Sequence, residues 1–173
     1  MVRNNLENSS TEEPDRFEGS ADESYGARLI INIDALVENW QAMRALSAPA
    51  RCAAVIKADA YGLGATPAAA ALYQAGCRDF FVATAREGAE VRLQAPEARI
   101  FVMNCILPGI EAQCRAADLV PVLASMEHIA RWTSLCIAHG DHPCALQVDT
   151  GMNRLGITQD EALVLANDVT RPA

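Results

Sequence analysis

From residue 28 onward, the apolar positions of the chain follow two alternating spacings. Short, continuously apolar runs are typical of strands buried on both faces, and each is followed by a longer segment with apolar residues at helical spacing. The short runs predict strands at 28–33, 52–57, 79–84, 99–104, 119–123 and 144–149. The longer segments predict helices at 35–46, 66–75, 85–94, 109–117, 125–139 and 159–167. Strands that alternate with amphipathic helices indicate an α/β protein with a parallel sheet.

Capping residues mark the ends of the first two helices. Asp34 stands directly after the first predicted strand and is suited to cap the helix that follows it. Thr66 and Pro67 are suited to the cap and first position of the Ala-rich helix, and Gly76 to its end.

Two architectures fit this order of elements: an open doubly wound sheet and the early part of a (β/α)8 barrel of the TIM type. A doubly wound sheet that binds dinucleotides carries G-x-G-x-x-G after its first strand, and that spacing does not occur here. A complete barrel has eight strands and about 250 residues. We therefore expect an incomplete barrel, with about five barrel strands preceded by one further strand and helix. Because the sequence stops at "DVTRPA", where another strand should begin, we expect a fragment or a truncated product.

Charge separates an acidic start from the rest of the chain. Residues 1–24 hold seven acidic side chains and two arginines, so most of the net charge of −8 lies there. Their low apolar content predicts a disordered tail, and residues 25–173 form the predicted barrel domain. Neither part has the clustered lysine and arginine that nucleic-acid binding needs. With no apolar run of roughly 20 residues and no secretory signal, we expect a cytoplasmic protein.

Cysteine and histidine offer weaker signals. Six cysteines occur without any C-x-x-C pair, which favours unpaired and mostly buried thiols over disulfides. The run "HGDHPC" at 139–144 matches no closed zinc site, so no metal is expected. Trp40 and Trp132 lie within helical patterns and are predicted to anchor the core.

The candidate chemistry starts from Lys57, the only lysine in a chain with 13 arginines. It ends a predicted strand and precedes a glycine-rich turn in "AVIKADAYGLGA", and parallel α/β folds place active sites at such strand ends. A lysine amine in apolar surroundings can become neutral and act as nucleophile and base, whereas arginine stays protonated. A compositional accident is the plainer explanation. The position favours an amine that forms an imine, either with a carbonyl substrate or with pyridoxal phosphate.

Two further residues stand after predicted strands. Tyr61 can donate its hydroxyl to an anion such as a phosphate, or pack against the next helix, and Gly62 and Gly64 permit a tight turn. Arg154 lies in "QVDTGMNRLGI", where its planar guanidinium can bind a carboxylate or a cofactor oxygen, or face solvent. In a barrel both segments would face the same mouth.

Together these segments resemble signatures of the alanine racemase family, which interconverts L- and D-alanine with pyridoxal 5'-phosphate. "AVIKADAYGLG" resembles the segment of the cofactor lysine, "VDTGMNRLGI" resembles a second family segment, and "EGAEVRL" at 87–93 agrees as well. The resemblance covers residues 26–173. It implies a (β/α)8 barrel, a separate C-terminal β domain that these residues do not include, and a homodimer.

The resemblance also implies a role for each matched residue. Lys57 would form the Schiff base with the cofactor and exchange the α-proton on the D-alanine side, so it is both a catalytic and a cofactor-binding residue. Tyr61 would bind the cofactor phosphate. Arg154 would approach the phenolic oxygen of the cofactor and bind the substrate carboxylate. The expected product, D-alanine, supplies cell-wall peptidoglycan.

Two departures from the family pattern bear on activity. Many members carry a lysine that supports the arginine at the position of Gln147, where this chain has a neutral amide. The family's second base is a tyrosine of the C-terminal domain, which reaches across the homodimer and has no counterpart in these residues. We therefore expect the chain alone to be inactive as a racemase, so that it does not interconvert the alanine enantiomers by itself. The alternative is a non-enzymatic cofactor-binding or regulatory barrel.

Overall fold

The computed structural model describes residues 29–104 and 107–169, which form seven helical segments and five strands. The helical segments are α1 (Ile33–Ser47), α2 (Lys57–Tyr61), α3 (Ala65–Gln74), α4 (Ala85–Gln94), α5 (Glu111–Ala116), α6 (Met126–His139) and α7 (Gln159–Val169). The strands are β1 (Ala54–Val55), β2 (Asp79–Val82), β3 (Arg99–Val102), β4 (Val120–Leu123) and β5 (Ala145–Leu146). The predicted disordered tail at 1–24 lies outside the described residues.

The five strands form one parallel sheet in the order β1-β2-β3-β4-β5. Each strand pairs with the one that precedes it in the chain, so that Phe80 lies opposite Ile100 and Phe101 opposite Val120. In a doubly wound sheet the strand order reverses at a switch point. The described strands progress in one direction, which confirms the α/β class and is the order of a barrel segment.

Alternate side chains of the central strands face opposite sides of the sheet. Phe80, Val82, Ile100 and Val102 belong to the buried core and are at most 2% exposed. Phe81 and Phe101 face the other side, where their rings stack with centroids 4.6 Å apart. Burial of each large apolar side chain stabilises the fold by roughly 1.5–3 kcal/mol. Because both sides of these strands are apolar, the sequence shows no polar alternation there.

The prediction of a strand at 28–33 is wrong. Residues 29–32 have no regular secondary structure, and none of the described strands pairs with them. A strand needs a neighbour for its backbone N–H and C=O groups, and apolar composition alone does not supply one. The N-cap of α1 is Asn32, whose Oδ1 accepts from the Ala35 amide at 3.0 Å, so Asp34 lies in the first turn instead of at the cap.

The other predicted elements are present, with strands shorter than predicted, and α4 has the predicted bounds. Trp40 and Trp132 are buried in the core, as predicted. Each of the five described cysteines is unpaired, and burial raises the pKa of the Cys114 thiol to about 11. In the described part of the chain, no helix combines the length and apolarity needed to cross a membrane.

His128 completes the N-terminal cap of α6. The Ser125 hydroxyl accepts from the His128 amide at 3.2 Å, and the ring Nδ1 accepts from the Ala124 amide at 3.3 Å. This second bond requires an unprotonated Nδ1. Burial, and then the Arg131 guanidinium, lower the pKa of His128 below its ordinary 6.5, against the weaker effects of nearby carboxylates. The folded chain therefore favours the neutral ring.

We expect the free energy of unfolding to fall as the pH is lowered from 7 to 5, because the unfolded chain takes up a proton on His128 before the folded chain does. His128→Asn provides a non-titrating acceptor and should make this fall smaller. Ser125→Ala should cost about 0.5–2 kcal/mol at both pH values, because it removes a cap that does not titrate. Urea unfolding provides the measurement, and the same pH dependence in wild type and His128→Asn would contradict the prediction.

Candidate active site

Lys57 lies directly beyond the last rung of the β1–β2 ladder. The Ile56 amide donates to the Phe81 carbonyl at 2.9 Å, after which the backbone leaves the sheet. The strand is therefore shorter than the predicted 52–57, and Lys57 is the first residue of α2, at the carboxyl end of the parallel sheet. Its side chain is half-buried. This is the strand-end position that the sequence predicted for it.

The backbone after Lys57 is left-handed. Ala58, Asp59, Ala60 and Tyr61 have φ values of 50°, 53°, 53° and 57°, and none of them is glycine. A left-handed conformation costs an L-residue roughly 1–2 kcal/mol because Cβ approaches the following carbonyl oxygen. Four such residues in succession therefore require support from their surroundings. The sequence predicted a glycine-rich turn but not this handedness.

Two carboxylates link this left-handed turn to the helices beside it. Asp59 Oδ1 accepts from the Ala65 amide at 2.6 Å, where α3 begins. Gly64 is the N-cap of α3, so the prediction that Thr66 caps this helix is wrong. The carboxylate acts in place of a capping residue, because it bonds an N-terminal amide of the helix from six residues away.

The second carboxylate belongs to Glu87 of α4. Its Oε1 accepts from the Ala58 amide at 3.1 Å, and its Oε2 accepts from the amides of Ala83 at 2.6 Å and Thr84 at 3.3 Å. Glu87 also forms a capping box with Thr84. The T-x-x-E spacing could have predicted the capping box. It could not have predicted the bond to Ala58, which joins residues 29 positions apart.

Tyr61 ends the left-handed turn and is 65% exposed. Gly62 and Gly64 follow it with φ values of 87° and 95°, so the predicted tight turn is confirmed. The Gly62 amide donates to the Ala58 carbonyl at 3.1 Å, and the Gly64 amide donates to the Asp59 carbonyl at 2.9 Å. The exposed phenol therefore stands on a turn that is closed by its own backbone.

Arg154 is exposed on a closed loop after β5. The ends of the loop meet at a parallel bridge between Val148 and Ile157, and the Asp149 amide donates to the Ile157 carbonyl at 2.9 Å. Inside the loop, the Asp149 carboxylate accepts from the amides of Gly151 and Asn153 at 2.9 and 3.0 Å. These bonds lower the pKa of Asp149. Arg154 therefore stands on a loop with a fixed backbone.

Gln147 supports the same loop with its neutral amide. Its Nε2 donates to the carbonyl of Leu155 at 3.1 Å, and its backbone carbonyl accepts from the Ile157 amide at 2.8 Å. The Gln147 side chain thus bonds the backbone of the residue that follows Arg154 and not the Arg154 guanidinium. The structure gives Gln147 a contact with the loop backbone.

Lys57 and Arg154 lie at the same end of the sheet but follow its two outermost strands, β1 and β5. Within residues 29–104 and 107–169, no hydrogen bond or ion pair joins their side chains. The structure therefore brings Lys57, Tyr61 and Glu87 together around one turn and places Arg154 on a separate loop.

The described residues contain no group of three or more His, Cys, Asp and Glu side chains that could hold a metal ion. His142 of the "HGDHPC" run instead bonds the Leu119 carbonyl through Nε2 at 3.0 Å. Its own carbonyl accepts from Trp132 Nε1 at 3.3 Å. This histidine therefore ties a helix–strand connection to the core.

Comparison with known proteins identifies a family. The family model described as "Alanine racemase, N-terminal domain" matches residues 31–173. The biosynthetic alanine racemase of Agrobacterium fabrum is 56% identical over 156 residues, which are 90% of this chain and 40% of that protein. The alanine racemase of Rhizobium meliloti is 51% identical over 150 residues, 87% of this chain and 40% of that protein. The chain thus spans about two fifths of the length of these relatives.

Solved structures agree with the sequence relatives. A crystal structure of alanine racemase from Bartonella henselae with covalently bound pyridoxal phosphate matches 81% of this chain and 41% of its own, with a TM-score of 0.76 and 38% identity. Alanine racemase from Streptomyces coelicolor A3(2) matches 78% of this chain and 37% of its own, with a TM-score of 0.70 and 32% identity. The five parallel strands correspond to part of the barrel of these enzymes. The chain belongs to the alanine racemase family and carries its N-terminal domain.

Proposed function

We propose that the protein containing this chain interconverts L-alanine and D-alanine with pyridoxal 5'-phosphate held by Lys57. The observation that carries the proposal is the position of the single lysine, half-buried at the carboxyl end of β1 on a turn that two carboxylates hold. Membership of the alanine racemase family and the Bartonella henselae structure, whose pyridoxal phosphate is covalently bound, support the choice of reaction and cofactor.

The side chains present fit this cofactor. An aldehyde needs an amine, a phosphate needs hydrogen-bond donors, and a phenolic oxygen or a carboxylate suits a guanidinium. Lys57 supplies the amine, the exposed hydroxyl of Tyr61 supplies a donor four residues later, and Arg154 supplies the guanidinium at the same end of the sheet. We therefore assign Lys57 and Tyr61 to cofactor binding, and Arg154 to the cofactor oxygen and the substrate carboxylate.

When bound, pyridoxal phosphate withdraws electrons and makes the Cα–H of a joined amino acid acidic. The Lys57 amine then removes and returns the α-proton on one face of the substrate, because a neutral amine is a general base. Arg154 holds the substrate carboxylate, which fixes the face that Cα presents to Lys57. Arginine could not replace Lys57 in this role because the guanidinium stays protonated.

Inversion of Cα needs a second proton donor on the opposite face. We expect it from a tyrosine in the part of the family's chain that has no counterpart in residues 1–173, within a cytoplasmic homodimer. We also expect D-alanine for peptidoglycan as the product. Lys57 thus accounts for one of the two proton transfers.

Treatment with pyridoxal phosphate and borohydride should fix one pyridoxyl group on the chain, and peptide mass spectrometry should find it on Lys57. Lys57→Arg should abolish this label, because arginine does not add to an aldehyde at neutral pH. Label that remains in the variant measures reaction at the terminal amine. A wild-type chain without label on Lys57 would refute the proposal.

In D2O with pyridoxal phosphate, we expect the chain to exchange the α-hydrogen of D-alanine faster than that of L-alanine. The reason is that Lys57 serves one face only. Proton NMR of each enantiomer gives the rates, with free pyridoxal phosphate and Lys57→Arg as backgrounds. Exchange no faster than these backgrounds would favour a non-enzymatic cofactor-binding barrel instead.

The backbone of the Arg154 loop comes so close to itself that it requires glycine at one position. A Cβ on Gly156 would lie 2.5 Å from the Asp149 nitrogen, whereas a Cβ on Gly151 would meet nothing within 4 Å. Both glycines have a φ of 125°. The pair therefore separates the effect of steric overlap from the effect of backbone conformation.

We expect Gly151→Ala to cost roughly 1–2 kcal/mol of unfolding free energy, because of its positive φ. Gly156→Ala should cost about 1–3 kcal/mol more, because the new methyl group overlaps the Asp149 backbone. Urea unfolding measures both losses, and amide hydrogen exchange at Asp149 reports opening of the loop. Equal losses in the two variants would show that the close approach does not constrain the loop.

A further inference from the structure

We propose that Glu87 is a positioning residue for Lys57, acting through the left-handed turn that follows the lysine. Nothing in the chemistry of the reaction requires a glutamate at this place. The inference rests on the proposed function, in which Lys57 holds the cofactor. It adds a group that sets where the amine lies without touching the cofactor or the substrate.

The carboxylate of Glu87 joins two strand-end loops. Oε2 accepts from Ala83 and Thr84, which follow β2, and this is the ordinary work of a helix cap. Oε1 accepts at 3.1 Å from Ala58, which follows β1. The third bond is not needed to cap α4. It ties the loop of Lys57 to the rigid N-terminus of that helix.

The third bond affects the position of Lys57 because it is made to the residue that follows the lysine. Ala58 is covalently joined to Lys57 and is the first residue of the left-handed turn, with φ 50° and ψ 53°. A non-glycine residue prefers to leave this region, and it stays only where its surroundings hold it. A bond from an N–H to an ionised carboxylate is stronger than one between neutral groups. Loss of this bond frees the turn at the end nearest the amine.

Substitution of Glu87 can separate the bond that Oε1 forms with Ala58 from the two bonds that Oε2 forms with Ala83 and Thr84. Glu87→Gln leaves one acceptor oxygen and places an NH2 group where the other oxygen stood. We expect the remaining oxygen to keep the two bonds to Ala83 and Thr84, so that the NH2 faces the Ala58 N–H without an acceptor. Glu87→Asp keeps the charge near the helix N-terminus but is shorter by one methylene, so it cannot span both loops.

Thr84→Ala is the matched structural control. It removes the hydroxyl that accepts from the Glu87 amide at 3.3 Å and leaves the three bonds of the carboxylate in place. We expect it to lower Tm by about 2–4 °C through loss of a cap. Glu90→Gln, on the same helix with an exposed ion pair to Arg86, controls for the change of charge.

The first measurement needs no cofactor. Amide hydrogen exchange at Ala58, followed by NMR on the 173-residue chain, should become about tenfold faster or more in Glu87→Gln and Glu87→Asp. Exchange at Ala58 should stay at the wild-type rate in Thr84→Ala and Glu90→Gln. Unchanged exchange in both Glu87 variants would overturn the proposal.

The second measurement uses pyridoxal phosphate as the probe. The concentration that half-labels Lys57 after borohydride should rise about tenfold in the Glu87 variants and stay near the wild-type value in Thr84→Ala, even though Thr84→Ala lowers Tm. Labelling that follows Tm across all four variants would reduce Glu87 to a structural cap and overturn the proposal. If wild-type Lys57 takes no label while Ala58 exchange responds to Glu87, the proposed function fails and the contact with the turn stands.

Discussion

The register of the parallel ladder between β1, β2 and β3 determines where the loops that carry Lys57 and Glu87 begin. The last hydrogen bond between β1 and β2, from the Ile56 amide to the Phe81 carbonyl, lies one residue before Lys57. The same register brings the loop after β2 beside it, so that one carboxylate can bond amides of both. A shift of one residue would turn each side chain to the other face of the sheet. Such a shift would remove Phe80 and Ile100 from the core and break the stacking of Phe81 on Phe101.

The two ends of the sheet use acidic side chains differently. Toward the amino ends, the buried Asp79 is paired with Arg51 at 2.8 Å and Arg99 at 2.6 Å. At the carboxyl ends, Asp59 and Glu87 accept hydrogen bonds from backbone amides. At the amino ends of the strands, arginines form ion pairs with a buried carboxylate. At the candidate site, carboxylates instead accept hydrogen bonds from the backbone of the loops. This division agrees with a chain that has many arginines and one lysine.

Much of the fold could be predicted from apolar spacing, because buried parallel strands and amphipathic helices have different periods. The strand at 28–33 could not be judged in this way, because pairing is a property of the neighbour and not of the segment. Lys57 was recognisable from its strand-end position. Glu87 was not, because its bond to Ala58 depends on two loops that only the folded sheet brings together. The left-handed turn was hidden for a related reason, since Ala58 and Ala60 have no local preference for it.

The handedness of that turn changes what the four residues from Ala58 to Tyr61 must satisfy. At these φ values the mirror image of each residue would be the relaxed form, so the natural chirality of the chain is a local disadvantage at all four. Valine, isoleucine and threonine are poorly tolerated there, whereas asparagine and glycine are well tolerated. Ordinary helix or strand propensity therefore gives no guide to which sequences can occupy this segment, where contacts with the rest of the fold must offset an unfavourable backbone.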